Sequence, residues 1–189
     1  MRLLYLLNAS NPGRPAADSG ITFADMLTPA LTDAGVEVTV ASPVPLGDSR
    51  VHFVRTTSPS TKYRARFEPD MEALVTLIRD WRPEVVVANQ IEVAPAVRAA
   101  LLESGVDALI VGYCHYLPFS FGAGDLELDP SLNDRGLGLS VLLAFSAGLA
   151  ACDRVLVHSA AAASWTTAVA ARTGTDLGHK LHVVPAPGT

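Results

Sequence analysis

The sharpest candidates for chemistry in this 189-residue chain follow an apolar segment in the sequence Gly112-Tyr113-Cys114-His115-Tyr116. In an open α/β sheet, ligand-binding groups lie just beyond the carboxyl ends of the strands. A neutral histidine there can act as a base or hydrogen-bond a hydroxyl. We therefore predict that His115 is catalytic and that Tyr113 and Tyr116 contact a substrate, stacking on a ring such as that of a sugar. A structural histidine is the alternative, which the position disfavours.

Polar residues follow two other apolar runs. Asn89 and Gln90 come after residues 85–87, and each amide offers both donors and acceptors to a hydroxyl-rich ligand. A turn with a helix cap is the alternative, and the pattern favours it slightly. Ser159 follows residues 155–157 and is well placed to cap the next helix. It lacks the glycines of a nucleophile elbow, so we list it only as a substrate-binding candidate.

Ser19 and Gly20 form a third candidate because they open a predicted helix after a long loop, residues 8–19. A glycine at a helix start lets a ligand approach backbone N–H groups, which attract anions. The loop matches neither the dinucleotide-binding fingerprint nor a P-loop. A solvated loop with a cap at Asp18 or Ser19 explains the pattern about equally well.

A second long loop is predicted at residues 117–135. Its Asp125, Glu127 and Asp129 could bind a cation, but their spacing is not that of an EF-hand, and a solvated loop or lid is favoured. Paired carboxylates, a Ser-His-Asp set and a Cys-His set are not recognisable in the sequence. We predict no metal site, and the chain alone does not show a complete catalytic apparatus.

The elements that would position these residues are short apolar runs alternating with segments of helical periodicity. The runs are mostly continuous, which is typical of strands buried on both faces of a parallel sheet. We predict an α/β fold, an open parallel sheet of about seven strands with helices on both faces. Pro29 lies inside the first helix, residues 21–34, and predicts a kink or a restart near Thr28. The apolar runs are residues 3–7, 36–40, 51–54, 85–87, 108–111, 155–157 and 181–184.

Composition narrows the class of protein. Hydrophobic residues make up 49% and charged residues 17% of the chain, which indicates a globular domain. The net charge is −5 and the basic residues are scattered, so a nucleic-acid partner is not expected. Cys114 and Cys152 lie in apolar runs and are predicted to be buried, reduced thiols. Neither a signal peptide nor a membrane span is recognisable, so we expect a cytoplasmic protein, with peripheral membrane contact left open.

The last residues have the pattern of a domain boundary. The apolar run at residues 181–184 is followed by Pro185-Ala186-Pro187-Gly188. We expect residues 1–184 to form an N-terminal domain and residues 185–189 to begin a linker to a second domain that this sequence does not contain.

Six segments together have a familiar order. They are Ser19-Gly20-Ile21, residues 31–40 with Val36 at a position where histidine is usual, residues 82–87, Gly112-Tyr113-Cys114-His115, residues 152–159 and residues 182–188. This order resembles the N-terminal domain of GT-B glycosyltransferases of the retaining, family-4 type, over nearly all of the chain. Asn89 and Gln90 replace a segment that is often rich in histidine in that family.

The resemblance implies two Rossmann-like domains facing each other across a cleft. The N-terminal domain would bind a small-molecule or glycan acceptor, and the missing C-terminal domain would hold a nucleotide-sugar donor. This domain would hold no cofactor and would be inactive alone. Ser19 and Gly20 would lie near the donor phosphate or acceptor, and His115 near the transferred sugar. The alternatives are a stand-alone Rossmann-like binding or regulatory subunit and a small hydrolase or reductase, whose motifs are not recognisable.

Overall fold

The computed structural model describes residues 1–7, 19–42, 52–54, 68–114, 117–122, 125–128, 130 and 138–185. Two 3-10 turns, Ile91–Val93 and Gly178–Lys180, join the longer elements. The strands are β1 Arg2–Leu6, β2 Glu37–Ala41, β3 His52–Val54, β4 Val85–Ala88, β5 Leu109–Cys114, β6 Phe119–Gly122, β7 Asp125–Leu128, β8 Arg154–Val157 and β9 Leu181–Val183. The helices are α1 Ser19–Asp33, α2 Met71–Trp81, α3 Ala94–Ser104, α4 Gly138–Ala151 and α5 Ala160–Thr173.

Seven strands form one parallel sheet in the order β3-β2-β1-β4-β5-β8-β9. The predicted α/β architecture is confirmed, including the number of strands. From β1 the chain builds outward to β2 and β3, then returns to place β4 on the other side of β1. Strand order therefore reverses between β1 and β4, and open α/β sheets bind their ligands at such a switch point.

Each face of the sheet has its own buried apolar cluster. On one face, α1 covers β1 and β2 through Ile21 and Ala24, with Leu27 and Leu31 packed alongside. On the other face, α2, α3, α4 and α5 cover a larger apolar cluster that also includes Leu4 and Leu6 of β1. Continuous apolar runs became strands because successive side chains alternate between two buried faces.

Helix α2 begins at Met71 with a side-chain cap. Asp70 is the cap, and its carboxylate accepts a hydrogen bond from the Ala73 N–H at 3.0 Å. Arg82 adopts the left-handed conformation that ends the helix, with φ of 49°. The Asp70 carboxylate thus satisfies an N–H of the first turn that has no partner within the helix.

Helix α1 continues through Pro29 without ending, so the restart near Thr28 is wrong, while the alternative, a kink, stays a prediction. The Thr28 hydroxyl donates to the Ala24 carbonyl at 2.8 Å, and the Thr32 hydroxyl donates to the Thr28 carbonyl at 2.9 Å. These side-chain bonds supplement the helix on both sides of the missing proline N–H. Burial of the apolar face of α1 offsets the remaining cost.

The predicted loop at residues 117–135 contains an antiparallel hairpin. Strands β6 and β7 pair from Phe119 opposite Leu128 to Gly122 opposite Asp125. In β7, Asp125 and Glu127 are exposed, while Leu126 and Leu128 pack against the main core. The segment forms a hairpin and not a solvated loop because this alternation packs the leucines against the core and leaves the carboxylates in water.

Cys114 and Cys152 are free and buried, as predicted. Burial is the main cause that raises the pKa of both thiols, to about 12 for Cys152, where the neighbouring Asp153 carboxylate adds to it. Both side chains therefore stay protonated at neutral pH. Within the described ranges, no helix is both long and apolar enough to cross a lipid bilayer.

Candidate functional site

The candidate site lies at the carboxyl edge of the sheet, where β1, β4, β5 and β8 are neighbours. Asn89 and Gln90 follow β4 directly at the switch point. Tyr113 belongs to the end of β5, and Ser159 follows β8. Parallel pairing brings these four predicted residues to one edge of the fold.

Asn89 is anchored from both its backbone and its side chain. Its N–H donates to the Leu6 carbonyl at 3.0 Å, and its side-chain oxygen accepts a 2.6 Å hydrogen bond from the Tyr5 hydroxyl. Both Tyr5 and Asn89 are fully buried. Burial, and to a smaller extent the nearby Tyr113, raises the pKa of Tyr5, so its hydroxyl remains a donor. The bond joins β1 to the end of β4 across the switch point.

Gln90 differs from Asn89 because it is only half-buried. It precedes the Ile91–Val93 turn, but its side chain makes no capping hydrogen bond. Its side-chain oxygen is buried and accepts no hydrogen bond within the part of the chain that the structure describes. A buried acceptor without a donor costs about 1–3 kcal/mol, which a ligand hydroxyl would relieve. Of the two amides, Gln90 is therefore the more exposed one and the one with an unsatisfied acceptor.

The turn that follows Gln90 is packed tightly between two glycines. An ideal Cβ built on Gly148 of α4 would lie 2.3 Å from the Ile91 carbonyl oxygen. A Cβ built on Gly112 of β5 would lie 3.0 Å from the Ile91 side chain. Ile91 is almost completely buried. The absence of side chains at both positions lets α4 and β5 brace the turn.

Tyr113 does not project openly from the strand end. Its ring is buried and stacks on Phe23 of α1, with ring centroids 4.6 Å apart and planes 13° from parallel. Burial is the main cause that raises the pKa of Tyr113, and the nearby Cys114 raises it further by a smaller amount. Phe23 thus covers one face of the Tyr113 ring. The predicted contact of Tyr113 with a sugar is therefore limited to the other ring face or the hydroxyl.

The Ser159 hydroxyl caps α5 by accepting a hydrogen bond from the Ala162 N–H at 3.1 Å, as the sequence indicated. Gly20 lies buried in the first turn of α1, which begins at Ser19. His115 and Tyr116 lie outside the described residues, as do residues 8–18, so the predicted catalytic histidine stays a prediction. Among the described residues, His, Cys, Asp and Glu side chains form no group of three able to hold a metal ion.

An apolar groove of about 290 Å³ lies on the sheet face beside α1, and Tyr5 and Tyr113 belong to its lining. Phe23 and Leu27 line it from the helix, Val111 and Leu156 from the sheet, and Pro185 from the end of the described chain. Its lining is almost wholly apolar, so it offers few hydrogen bonds to a hydroxyl-rich ligand. The polar candidates at the strand ends suit such a ligand better.

Comparison with known protein families decides the assignment. The model of Glycosyltransferase Family 4 matches residues 22–187, which is most of the chain. The chain belongs to glycosyltransferase family 4. The match runs from α1 past β9 and includes every described site residue except Ser19, Gly20 and Tyr5. A search of curated protein sequences found no significant match for this family 4 chain.

One solved structure supports the fold. The apo form of the lipopolysaccharide outer core galactosyltransferase WaaB matches 98% of this family 4 chain with a TM-score of 0.61 at 13% identity. MoeE5 in complex with UDP-glucose and NAD matches 83% of the chain with a TM-score of 0.45 at 13% identity. The chain spans 45% of the WaaB chain and 53% of the MoeE5 chain. The WaaB likeness shows the Rossmann-like fold expected for one GT-B domain.

Sequence reasoning missed Tyr5 and Gly148. Tyr5 is part of an apolar strand, and its partner Asn89 lies 84 residues away, so only the strand order brings the two together. Gly148 is one small residue in an apolar helix, and the sequence does not show which backbone approaches it. A polar hydroxyl within the buried segment of residues 3–7 was the one available signal for Tyr5.

Proposed function

We propose that this family 4 chain is the acceptor-binding half of a glycosyltransferase that uses a sugar nucleotide. In the complete enzyme, a C-terminal domain would hold the donor, and a sugar would pass to a hydroxyl of a small-molecule or glycan acceptor. The observation that carries the proposal is the position of Gln90 at the β1–β4 switch point of a family 4 fold.

The chemistry of Gln90 supports an acceptor with hydroxyl groups. Its buried oxygen can accept a hydrogen bond from a ligand hydroxyl, and its NH₂ group can donate to another. Asn89 supports the site from within the core, since it is fully buried and its side chain accepts a hydrogen bond from Tyr5. Tyr113 and Ser159 border the same edge, and we keep Ser19, Gly20 and Tyr116 as further predicted contacts.

His115 is the proposed catalytic residue because it comes directly after β5, two residues beyond Tyr113. We propose that this domain holds no cofactor and that the nucleotide of the sugar donor would be bound by the second domain. Two free cysteines fit a reducing compartment, so we place the enzyme in the cytoplasm.

Transfer is tested on the complete gene product that contains residues 1–189. It is incubated with UDP-galactose, UDP-glucose or GDP-mannose, together with a panel of methyl glycosides, and release of the nucleotide is measured. We expect release that depends on both donor and glycoside, and none from the 189-residue chain alone. Turnover by the isolated chain would contradict the division of roles between two domains.

Acceptor binding is tested separately on the 189-residue chain. Gln90 is its only glutamine, so selective ¹⁵N labelling of glutamine yields a single side-chain amide to follow by NMR. We expect a methyl glycoside from the panel to shift this signal. Gln90→Leu has no glutamine signal, so its affinity is measured by isothermal titration calorimetry, and binding should be weakened about fivefold, the effect of one neutral hydrogen bond. If no glycoside shifts the signal while the complete enzyme transfers sugar, Gln90 is not part of the acceptor site.

A further inference from the structure

The buried hydrogen bond between Tyr5 and Asn89 is more than the strand pairing requires. Backbone bonds already join β1 to β4, from Leu3 opposite Val85 to Leu6 opposite Ala88, and the Asn89 N–H extends them by one residue. Tyr5 adds a side-chain bond at the point where the sheet ends. That bond fixes the direction of the Asn89 side chain and the backbone that leads into Gln90.

The residues around this point belong to three different elements. Tyr5 of β1 donates a hydrogen bond to Asn89, and Gly112 of β5 and Gly148 of α4 lie against Ile91. The two glycines constrain Ile91 on the far side of Gln90. The Gln90 side chain makes no capping bond, while its carbonyl accepts a hydrogen bond from the Val93 N–H at 3.1 Å.

We propose that Tyr5 is a positioning residue for acceptor recognition, holding Asn89 so that the neighbouring Gln90 presents its amide at the β1–β4 switch point. This inference rests on the proposed function of the site. Tyr5 need not touch the acceptor, and its full burial keeps it away from solvent. Its hydroxyl acts through Asn89 on the conformation of the next residue.

Tyr5→Phe tests this inference because it removes one oxygen and leaves the ring in place. Thr166→Val is the matched control, since Thr166 is also fully buried and its hydroxyl donates at 2.8 Å to the Ala162 carbonyl within α5. Urea unfolding establishes that both variants are folded. Each should lose a similar amount of stability, so a general loosening of the fold affects both alike.

The first readout is the ¹⁵N signal of the Gln90 side chain in the 189-residue chain. Tyr5→Phe should shift or broaden this signal, whereas Thr166→Val should leave it unchanged. An unchanged signal in Tyr5→Phe would overturn the inference, because the Gln90 amide would then be positioned without Tyr5.

The second readout is the affinity for whichever methyl glycoside shifts the wild-type signal. Tyr5→Phe should weaken it roughly three- to fivefold, within the effect of losing one hydrogen bond. In a Gln90→Leu background, Tyr5→Phe should have no further effect, since the two substitutions would act on one contact. Additive effects, or an equal loss in Thr166→Val, would overturn the inference.

These results separate the inference from the proposed function. If Gln90→Leu weakens binding and Tyr5→Phe does not, Gln90 binds the acceptor and the positioning role of Tyr5 is wrong. If Gln90→Leu has no effect on binding, the proposed acceptor contact itself is wrong, and the positioning role fails with it.

Discussion

Gly148→Ala gives the most direct test of how the site turn is held. The added methyl group would lie 2.3 Å from the Ile91 carbonyl oxygen and 2.7 Å from its carbonyl carbon, whereas ordinary contacts of this kind begin at 3.4 Å. Helix α4 and the Ile91–Val93 turn would have to separate by about 1 Å. Both groups that clash are backbone, so no side chain can rotate to relieve the contact.

Two opposing effects set the size of the change in stability. Replacing glycine by alanine inside a helix stabilises it by about 1 kcal/mol. Overpacking a buried contact costs about 1–3 kcal/mol, and a rigid backbone contact belongs at the upper end. We therefore expect Gly148→Ala to lower the free energy of unfolding by about 2 kcal/mol, or by about 1 M in the urea midpoint for an m-value near 2 kcal/mol/M.

Ala147→Gly provides the control because Ala147 is the exposed neighbour of Gly148 in the same helix. It should lose about 1 kcal/mol from helix propensity alone. Gly148→Ala should also shift the ¹⁵N signal of Gln90, and Ala147→Gly should not. A Gly148→Ala protein as stable as the wild type would refute the packing argument, because the methyl group would then have found space.

Substitutions at three further positions test other parts of the fold. Ser159→Ala should cost about 1 kcal/mol in urea unfolding through loss of the α5 cap, and Ser159→Asp should retain most of it; equal stabilities of all three proteins would count against the cap. Asp153→Ala should lower the free energy of unfolding by about 2 kcal/mol, since its carboxylate accepts hydrogen bonds from Arg98 at 2.9 Å and from the Ile110 N–H at 2.8 Å. A loss below 0.5 kcal/mol, about that of a surface substitution, would show that these bonds contribute little. The pKa of Cys152 is raised to about 12 in the folded state, so the wild type should lose stability as pH rises from about 9 towards 12. Cys152→Ala should show a shallower decline in alkaline unfolding. Parallel curves of stability against pH for the two proteins would contradict the raised pKa.

The strands of the main sheet could be predicted from the sequence because a strand that is buried on both faces appears as a continuous apolar run. Residues 85–87 are three valines in a row, and in the structure they alternate between the two apolar clusters. The β6–β7 hairpin has a weaker pattern in the sequence. Its alternation covers only Asp125-Leu126-Glu127-Leu128, a short stretch with acidic residues that also suit a loop.

The site could be predicted only in outline. Strand ends pointed to Asn89 and Gln90 because polar residues after buried strands meet at one edge of a parallel sheet. The different roles of these two amides could not be predicted. Complete burial of Asn89 depends on Tyr5, and the pairing of β1 with β4 follows from the strand order, which local periodicity does not specify.

The central place of β1 also bears on how the domain folds. Its partner β4 begins 79 residues after β1 ends, so their pairing closes a long loop, whereas β4, α3 and β5 form a nearly contiguous unit. Contacts of high sequence separation form slowly because loop closure must precede any gain. We expect the β4–α3–β5 unit to gain protection from amide hydrogen exchange first, and the β1–β4 junction to be completed late.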